Sequence, residues 1–252
     1  MTLTRIRPGS LFWTLVAVVA VWQVWIGLSH VDALVAPGPA AVALDLVLHP
    51  DVYFTSVAAT LLVALVGLVL GMALGLSLAV LTYFSPFLAG MLTPGAMLLR
   101  TVPVVAIIPI IARVLGYGQN TLIGVAVLIS FFPAFVLIDS GLRAVPAGSQ
   151  DLFTVLGAGR LTRLFRLALP AALPNALVAL RLSAASCILV AVLSQYLIGT
   201  DGLGYALANA HAYHQPARAW GIAVMTTALA VASFLNASRL EHWAREHWKG
   251  TE

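Results

Sequence analysis

The stretch VAATLLVALVGLVLGMALGLSLAVLTY, residues 57–83, carries no charged side chain. It is longer than the roughly 20 apolar residues that cross a bilayer core about 30 Å thick. Gly67, Gly71 and Gly75 recur within it at every fourth residue. That spacing stacks the glycines on one helix face, where another backbone can approach closely. The stretch reads as a transmembrane helix with a packing seam. The composition agrees: of 252 residues, 61% are hydrophobic and only 9% charged, against about a quarter charged in a soluble domain. A large buried core does not account for that deficit, and a membrane does.

Five further spans can be placed around it. The first is Leu11–Ser29. Arg5 and Arg7 ahead of it suggest a signal peptide, but the run is long and lacks a small-x-small cleavage site, so it is read as retained. A non-membrane segment containing Pro37, Pro39, Asp45, His49, Pro50 and Asp51 follows. Ser85-Pro86 turns into a third span, Phe87–Leu115. There Pro94, Pro103 and Pro109 each remove a backbone donor and should bend or break the helix. Irregular backbone at membrane depth belongs where protein covers it or where it lines a cavity. Gly116–Asn120 is a turn, Thr121–Ile138 a fourth span kinked at Pro133, and Asp139–Leu169 a polar interval. The fifth span is Ala172–Ile198. A turn rich in glycine (Gly199, Gly202, Gly204) and a polar loop through Arg218 lead to the sixth, Ala219–Ala237, and a charged, aromatic tail from Arg239 reads as an interfacial anchor. The expectation is an all-α integral membrane protein of about six transmembrane helices. Residues 1–50 form an N-terminal helix and external segment, 51–240 the transmembrane domain with a loop at about 145–170, and 241–252 the tail.

Lysine and arginine set the orientation. Arg5, Arg7, Arg143, Arg160, Arg163, Arg166, Arg239, Arg245 and Lys249 fall on one side, and of the opposite loops only that holding Arg218 is basic. Both termini and the interval after the fourth span are therefore expected in the cytoplasm of a cell with an inner membrane. The formal charge of +4 follows from this placement and forms no basic stripe interleaved with aromatics, so nucleic acid is not an expected partner. The single Cys187 lies in an apolar run and reads as a small buried side chain. No metal site is expected: His211 and His214 lie three apart with no third ligand nearby.

The interval facing the cytoplasm reads Asp151-Leu-Phe-Thr-Val-Leu-Gly157-Ala-Gly-Arg160-Leu-Thr-Arg163-Leu-Phe-Arg166-Leu-Ala-Leu169-Pro170. Leu152, Val155 and Leu156 have helical spacing, which suggests a short amphipathic helix closed by Gly157 or Gly159. Arg160, Arg163 and Arg166 share a face of a second helical stretch expected to end at Pro170. On the residues alone, a basic surface helix against anionic lipid and a docking helix for a cytoplasmic protein both remain open.

The spacing resembles the EAA loop of ABC importer permeases: an acidic residue, a glycine six positions later, and an apolar-x-Leu-Pro ending, here Asp151, Gly157, Leu167, Leu169 and Pro170. Pro174, Arg181 and the Gly202-Leu-Gly204-Tyr205 turn, with the glycine-rich second span and the proline-rich third, resemble the sulfonate, taurine and nitrate permeases of that group. Asp151-Leu152-Phe153 departs from the Glu-Ala-Ala start, and Gln195 stands where these permeases often carry Glu. The resemblance implies a type I importer fold with a coupling helix. It implies a cytoplasmic ATPase dimer as partner, contacted through Asp151, Leu152, Phe153, Leu156, Gly157, Arg160, Leu169 and Pro170. It also implies a second permease copy, the same or a sibling, and an external substrate-binding protein delivering a small anion or a vitamin-like or aromatic solute. ATP and Mg would sit in the ATPase; no cofactor is expected here, and no G-x-x-x-x-G-K-[ST] loop is present.

Candidate path residues are Arg100, Thr101, Pro103, Pro109, Arg181 and Gln195, because intramembrane arginine and irregular backbone are costly outside a functional role. Arg113 and Arg181 also read as span-end residues that reach the interface, Gln195 as a residue that faces either the bundle or the path, and Asp139 as a partner for one of the arginines. A membrane enzyme is disfavoured because the spans hold no catalytic set: no histidine falls inside one. A transporter that works without ATP, or a substrate-capture subunit of a vitamin uptake system, would also fit six spans, but neither explains the acid–Gly–Leu-Pro loop.

Overall fold

The computed structural model describes residues 8–29, 32 and 35–248, and every regular element among them is helical. The helices are α1 (Pro8–Ser29), α2 (Pro39–Leu48), α3 (Pro50–Phe84), α4 (Pro86–Thr101), α5 (Val104–Leu115), α6 (Gln119–Arg143), α7 (Ala147–Val155), α8 (Arg160–Arg163), α9 (Leu169–Ile198), α10 (Gly202–Ala212) and α11 (Pro216–Trp248). Helix α8 joins α9 through a π-helical turn, Leu164–Ala168, so that Arg160–Ile198 is one continuous helix. That helix, α3, α6 and α11 are long and apolar enough to cross a membrane. Helix α1 and the broken pair α4–α5 occupy the places of the first and third expected spans. Arg5, Arg7 and Lys249 lie outside the described residues.

The glycine seam organises the centre. A methyl group on Gly67, Gly71 or Gly75 would collide with Ala126, Ser130 or Ala134 of α6, also spaced four apart. Each helix offers the other a row of small residues, and Ser130 Oγ donates across the gap to the Gly67 carbonyl at 2.9 Å. In a bilayer, where lipid tails are as apolar as leucine, such close packing and interhelical hydrogen bonding replace hydrophobic exclusion as the force between helices. Helix α9 lies against the same pair: Cys187, buried as expected, sits among Val63, Ala64, Leu122 and Ile188.

Several expectations are corrected. The third span breaks only at Val102-Pro103, while Pro94 and Pro109 stay inside helices. Val102, restricted by the proline after it, leaves the helical region, whereas Thr93 and Ile108 stay helical ahead of Pro94 and Pro109. The stretch after the fifth span is not a loop: Gly202 (φ +89°) turns the chain directly into α10. The segment between the first two spans contains α2. The sixth span does not stop at Ala237; α11 runs on unbroken to Trp248.

At the end of the bundle where α2, α3 and α11 meet, Asp45 ties all three. It accepts from Tyr53 Oη at 2.6 Å and from Arg218 Nη2 and Nε at 3.1 and 3.3 Å, and His49 Nδ1 lies 3.3 Å away. Burial would raise the Asp45 carboxyl, but the hydrogen bonds from Arg218 and Tyr53, with the charges of Arg218 and His49, hold it below its ordinary value. A depressed carboxylate stabilises the fold above its unfolded value, about 3.9, and loses that contribution as pH falls through its folded value. Asp45→Asn is therefore expected to lower the melting temperature in detergent at pH 7, and the gap to the parent should shrink below about pH 4. A gap unchanged down to the acid limit would remove the ion pair from this account.

Candidate functional site

At the opposite end of the bundle, α7 projects between the ends of α6 and α8. Its last turn closes as a Schellman motif. Ala158 N–H donates to the Phe153 carbonyl at 2.9 Å and Gly157 N–H to the Thr154 carbonyl at 3.0 Å, with Gly157 at φ +68°. That backbone conformation favours glycine because a Cβ would crowd the following carbonyl. From the far side, Arg163 Nε donates to the Ala158 carbonyl at 3.0 Å, so the turn is held from both directions. Gly159, the other candidate for the stop, instead begins α8 in an extended conformation.

On this rigid mount the apolar side chains point outward. Leu152 is 56% exposed, Leu156 70% and Val155 86%. Asp151, Gly157 and Arg160 are exposed as well, and Phe153 is half-buried. An apolar edge displayed beyond the end of a bundle marks an interaction surface.

The mount is fixed to the bundle on both flanks. On one side Arg143 holds Asp139 through Nη2 and Nε at 3.0 and 3.1 Å, Thr82 Oγ1 donates to Asp139 at 2.7 Å, and Arg143 Nη2 reaches the Thr82 carbonyl at 3.3 Å. Asp139 thus pairs with its neighbour one helical turn away and, among the described side chains, not with Arg113 or Arg181. On the other side, Leu164, Ala168 and Ala172 bury themselves against Ile138 and Leu142 of α6. Pro170 was expected to end the second helical stretch, yet the helix runs through it. The Leu169 N–H donates to the Leu164 carbonyl, one residue beyond the usual α spacing. This widened turn gives the Pro170 ring room that a regular helix denies it. Leu169 and Pro170 are half-buried in the rod.

The candidate path residues separate. Thr101, Pro103 and Pro109 are exposed along α4–α5 and at the break between them, and Thr101 Oγ1 donates to the Leu98 carbonyl at 2.8 Å. The Arg100 side chain lies outside the described residues. Beneath the break lies a cavity of about 460 Å³ lined by Val102, Ile107, Ile129, Phe132, Pro133 and Ser186 among others, neighbours in space of the residues chosen from sequence. Arg113 is exposed in the last turn of α5.

Gln195 is completely buried and faces the bundle. It accepts from Thr60 Oγ1 at 2.7 Å and, more weakly, from Gly204 N–H at 3.4 Å, while Thr60 Oγ1 itself accepts from Leu203 N–H at 2.8 Å. Gly202 and Gly204 leave no room for a Cβ against Gln195 and the Val192 carbonyl. The Gly-Leu-Gly turn therefore seats α10 on α9 by direct backbone approach.

Arg181 also serves the packing. Its Nη1 lies 3.2 Å from Glu241 Oε2, its guanidinium stands 5.6 Å over the Phe234 ring, and Arg245 takes the other Glu241 oxygen at 2.6 Å. Glu241, 5% exposed, sits in the charged, aromatic tail that reads from sequence as an interfacial anchor. Its one sequence signal is the i,i+4 spacing with Arg245 on a helix that continues past the apolar run. Glu241→Gln should destabilise the fold by on the order of 2 kcal/mol, because it strips Arg181, a quarter exposed, of its counter-charge. A melting temperature within 1–2 °C of the parent would show that Arg181 is satisfied without it (an expected shift of about 2–4 °C per kcal/mol at this chain length).

Residues 67–245, from the glycine seam through the α7–α8 turn to Arg245, match the family described as binding-protein-dependent transport system inner membrane component. The chain belongs to this family. The permease is 32% identical over 201 residues to a Bacillus subtilis protein named for aliphatic sulfonates transport, SsuC, covering 79% of this chain and 72% of that one. It is 30% identical over 170 residues to ThiX of Halalkalibacterium halodurans, named for formylaminopyrimidine transport, covering 67% and 68%. Its fold is similar to that of an inward-facing MetNI methionine ABC transporter, with a TM-score of 0.65 at 18% identity over 74% of the permease and 93% of that chain. The permease is a multi-pass component of an ABC importer, a non-catalytic type of membrane subunit.

Proposed function

We propose that this permease encloses half of a solute path and that α7 with the Gly157 turn is the handle by which a cytoplasmic ATPase moves it. The observation that carries the proposal is the trio Leu152, Val155 and Leu156, exposed on a turn hydrogen-bonded from both sides and mounted on two spanning helices. In this reading Asp151, Phe153 and Arg160 complete the contact, Leu169 and Pro170 belong to the rod behind it, and both termini lie in the cytoplasm. A second permease closes the path and an external binding protein delivers the solute. ATP and Mg are held by the ATPase. Nucleotide-driven closure of the ATPases draws the two handles together and selects one of two packings of the spans, which requires contacts that differ between the two states.

The uncharged wall of Val102, Ile107, Ile129 and Phe132 at the helix break supports a path for a small solute, and the names of the relatives support a sulfonate-like anion or a pyrimidine-type vitamin precursor. Leu152→Glu should abolish copurification of the ATPase while leaving the permease in the membrane fraction. An ATPase retained at parental stoichiometry would reject α7 as the handle.

A further inference from the structure

Where α3 turns into α4, Tyr83, Phe84 and Pro86 face Arg160 and Arg163 across a cavity of about 280 Å³. Two arginines line this space, no carboxylate does, and neither arginine has an ion pair among the described residues. Only Arg163 Nε is engaged, by the Ala158 carbonyl, which leaves its two terminal nitrogens and the whole Arg160 fork for a ligand. An arginine fork matches phosphate geometry with paired N–H donors.

The position narrows the ligand further. Tyr83 and Phe84 end an apolar spanning helix, which sets the cavity at the level of lipid headgroups, where aromatic side chains are favoured. Apolar side chains neighbour the lining residues in sequence on both walls: Phe87, next to Pro86, is 77% exposed, and on the arginine side Phe165 is 65% and Leu161 64% exposed. A free inorganic anion has no use for that apolar margin, whereas a phospholipid presents a charged head and two acyl chains together.

We infer that the corner between α3–α4 and α8 is a binding site for the phosphate headgroup of an anionic phospholipid. Its acyl chains would lie along Phe87 and Phe165. The site joins a spanning-helix corner to the helix directly behind the Gly157 turn; it shares Arg160 with the proposed ATPase contact, and lipid retention by the permease alone, without the ATPase, separates the failure of one reading from that of the other.

Native mass spectrometry of the full-length permease, released from nanodiscs of equal phosphatidylglycerol and phosphatidylcholine, tests the site. One phosphatidylglycerol per chain should be retained in preference to phosphatidylcholine. Arg160→Gln should weaken that retention roughly fivefold, the effect of about one interfacial arginine. Arg166→Gln, three residues beyond the lining and on the same continuous helix, should leave it unchanged. The Arg160 side chain makes no hydrogen bond or ion pair among the described residues, so its loss spares the turn that Arg163 supports. Equal loss in both variants would mean diffuse surface charge and overturn the site. So would absence of retained anionic lipid, or displacement of that lipid by millimolar inorganic phosphate, which would assign the arginines to a free anion.

Discussion

Gly157→Val is expected to cut solute uptake by about tenfold or more while the permease remains inserted and folded. The residue sits at φ +68°, a conformation costing a β-branched residue roughly 1–3 kcal/mol. The local hydrogen bonds that hold it there are few enough for the chain to give way. If the backbone relaxes to the right-handed region, the Ala158 and Gly157 donors lose Phe153 and Thr154, and the Leu152–Leu156 edge swings away from its present direction. Gly157→Asn, which tolerates the left-handed region, should retain much of the uptake. The measurement is transport into vesicles alongside ATP hydrolysis by the assembled importer. Normal uptake by the valine variant would show that the direction of α7 is irrelevant to coupling.

Gly71→Leu should have the larger effect on stability and leave little folded protein. A Cβ at this position overlaps Ser130 Oγ and lies 2.6 Å from the Val127 carbonyl and 3.0 Å from the Phe131 nitrogen. Two of these obstacles are backbone, and backbone in the centre of a spanning helix has nowhere to move. Overpacking costs of 1–3 kcal/mol apply where side chains can yield; here α3 and α6 must separate along the whole Gly67–Gly75 row. The matched control is Gly90→Leu on α4, where nothing lies within 4 Å. Fluorescence size-exclusion yield and melting temperature should collapse for the first variant and hold for the second. Equal behaviour of the two would mean that the seam contributes no close packing.

Much of this architecture was legible because membrane helices announce themselves through uninterrupted apolar length and through glycines spaced at the helical period. The packing seam on α3 needed only Gly67, Gly71 and Gly75, while its partner, α6, is identified by the structure. The same reasoning about which residues reach φ > 0 put the α7 stop at Gly157 or Gly159, and Gly157 supplies it. The errors arose where a local rule met a tertiary accommodation. Proline ends helices in water, but at Pro170 a π turn absorbs the ring. Glycine marks turns, but Gly202 and Gly204 serve close approach to Gln195 and open a helix. Charged and aromatic residues suggest an interfacial anchor, but Glu241 is drawn inward by Arg181, a partner 60 positions earlier on another helix. Pairings such as Thr60 with Gln195 have no sequence signature, since each residue alone is satisfied by many neighbours.

The absence of a joint between Arg160 and Ile198 has a mechanical consequence. A rod of 39 residues is roughly 58 Å long at 1.5 Å per residue. Tilting it by about 5° therefore displaces one tip relative to the other by about 5 Å. With the π turn held against α6, any displacement delivered beside Gly157 reaches the Gln195–Gly204 seat by leverage. A sliding or melting step along the way is unnecessary, and the two ends of the molecule behave as the arms of one seesaw.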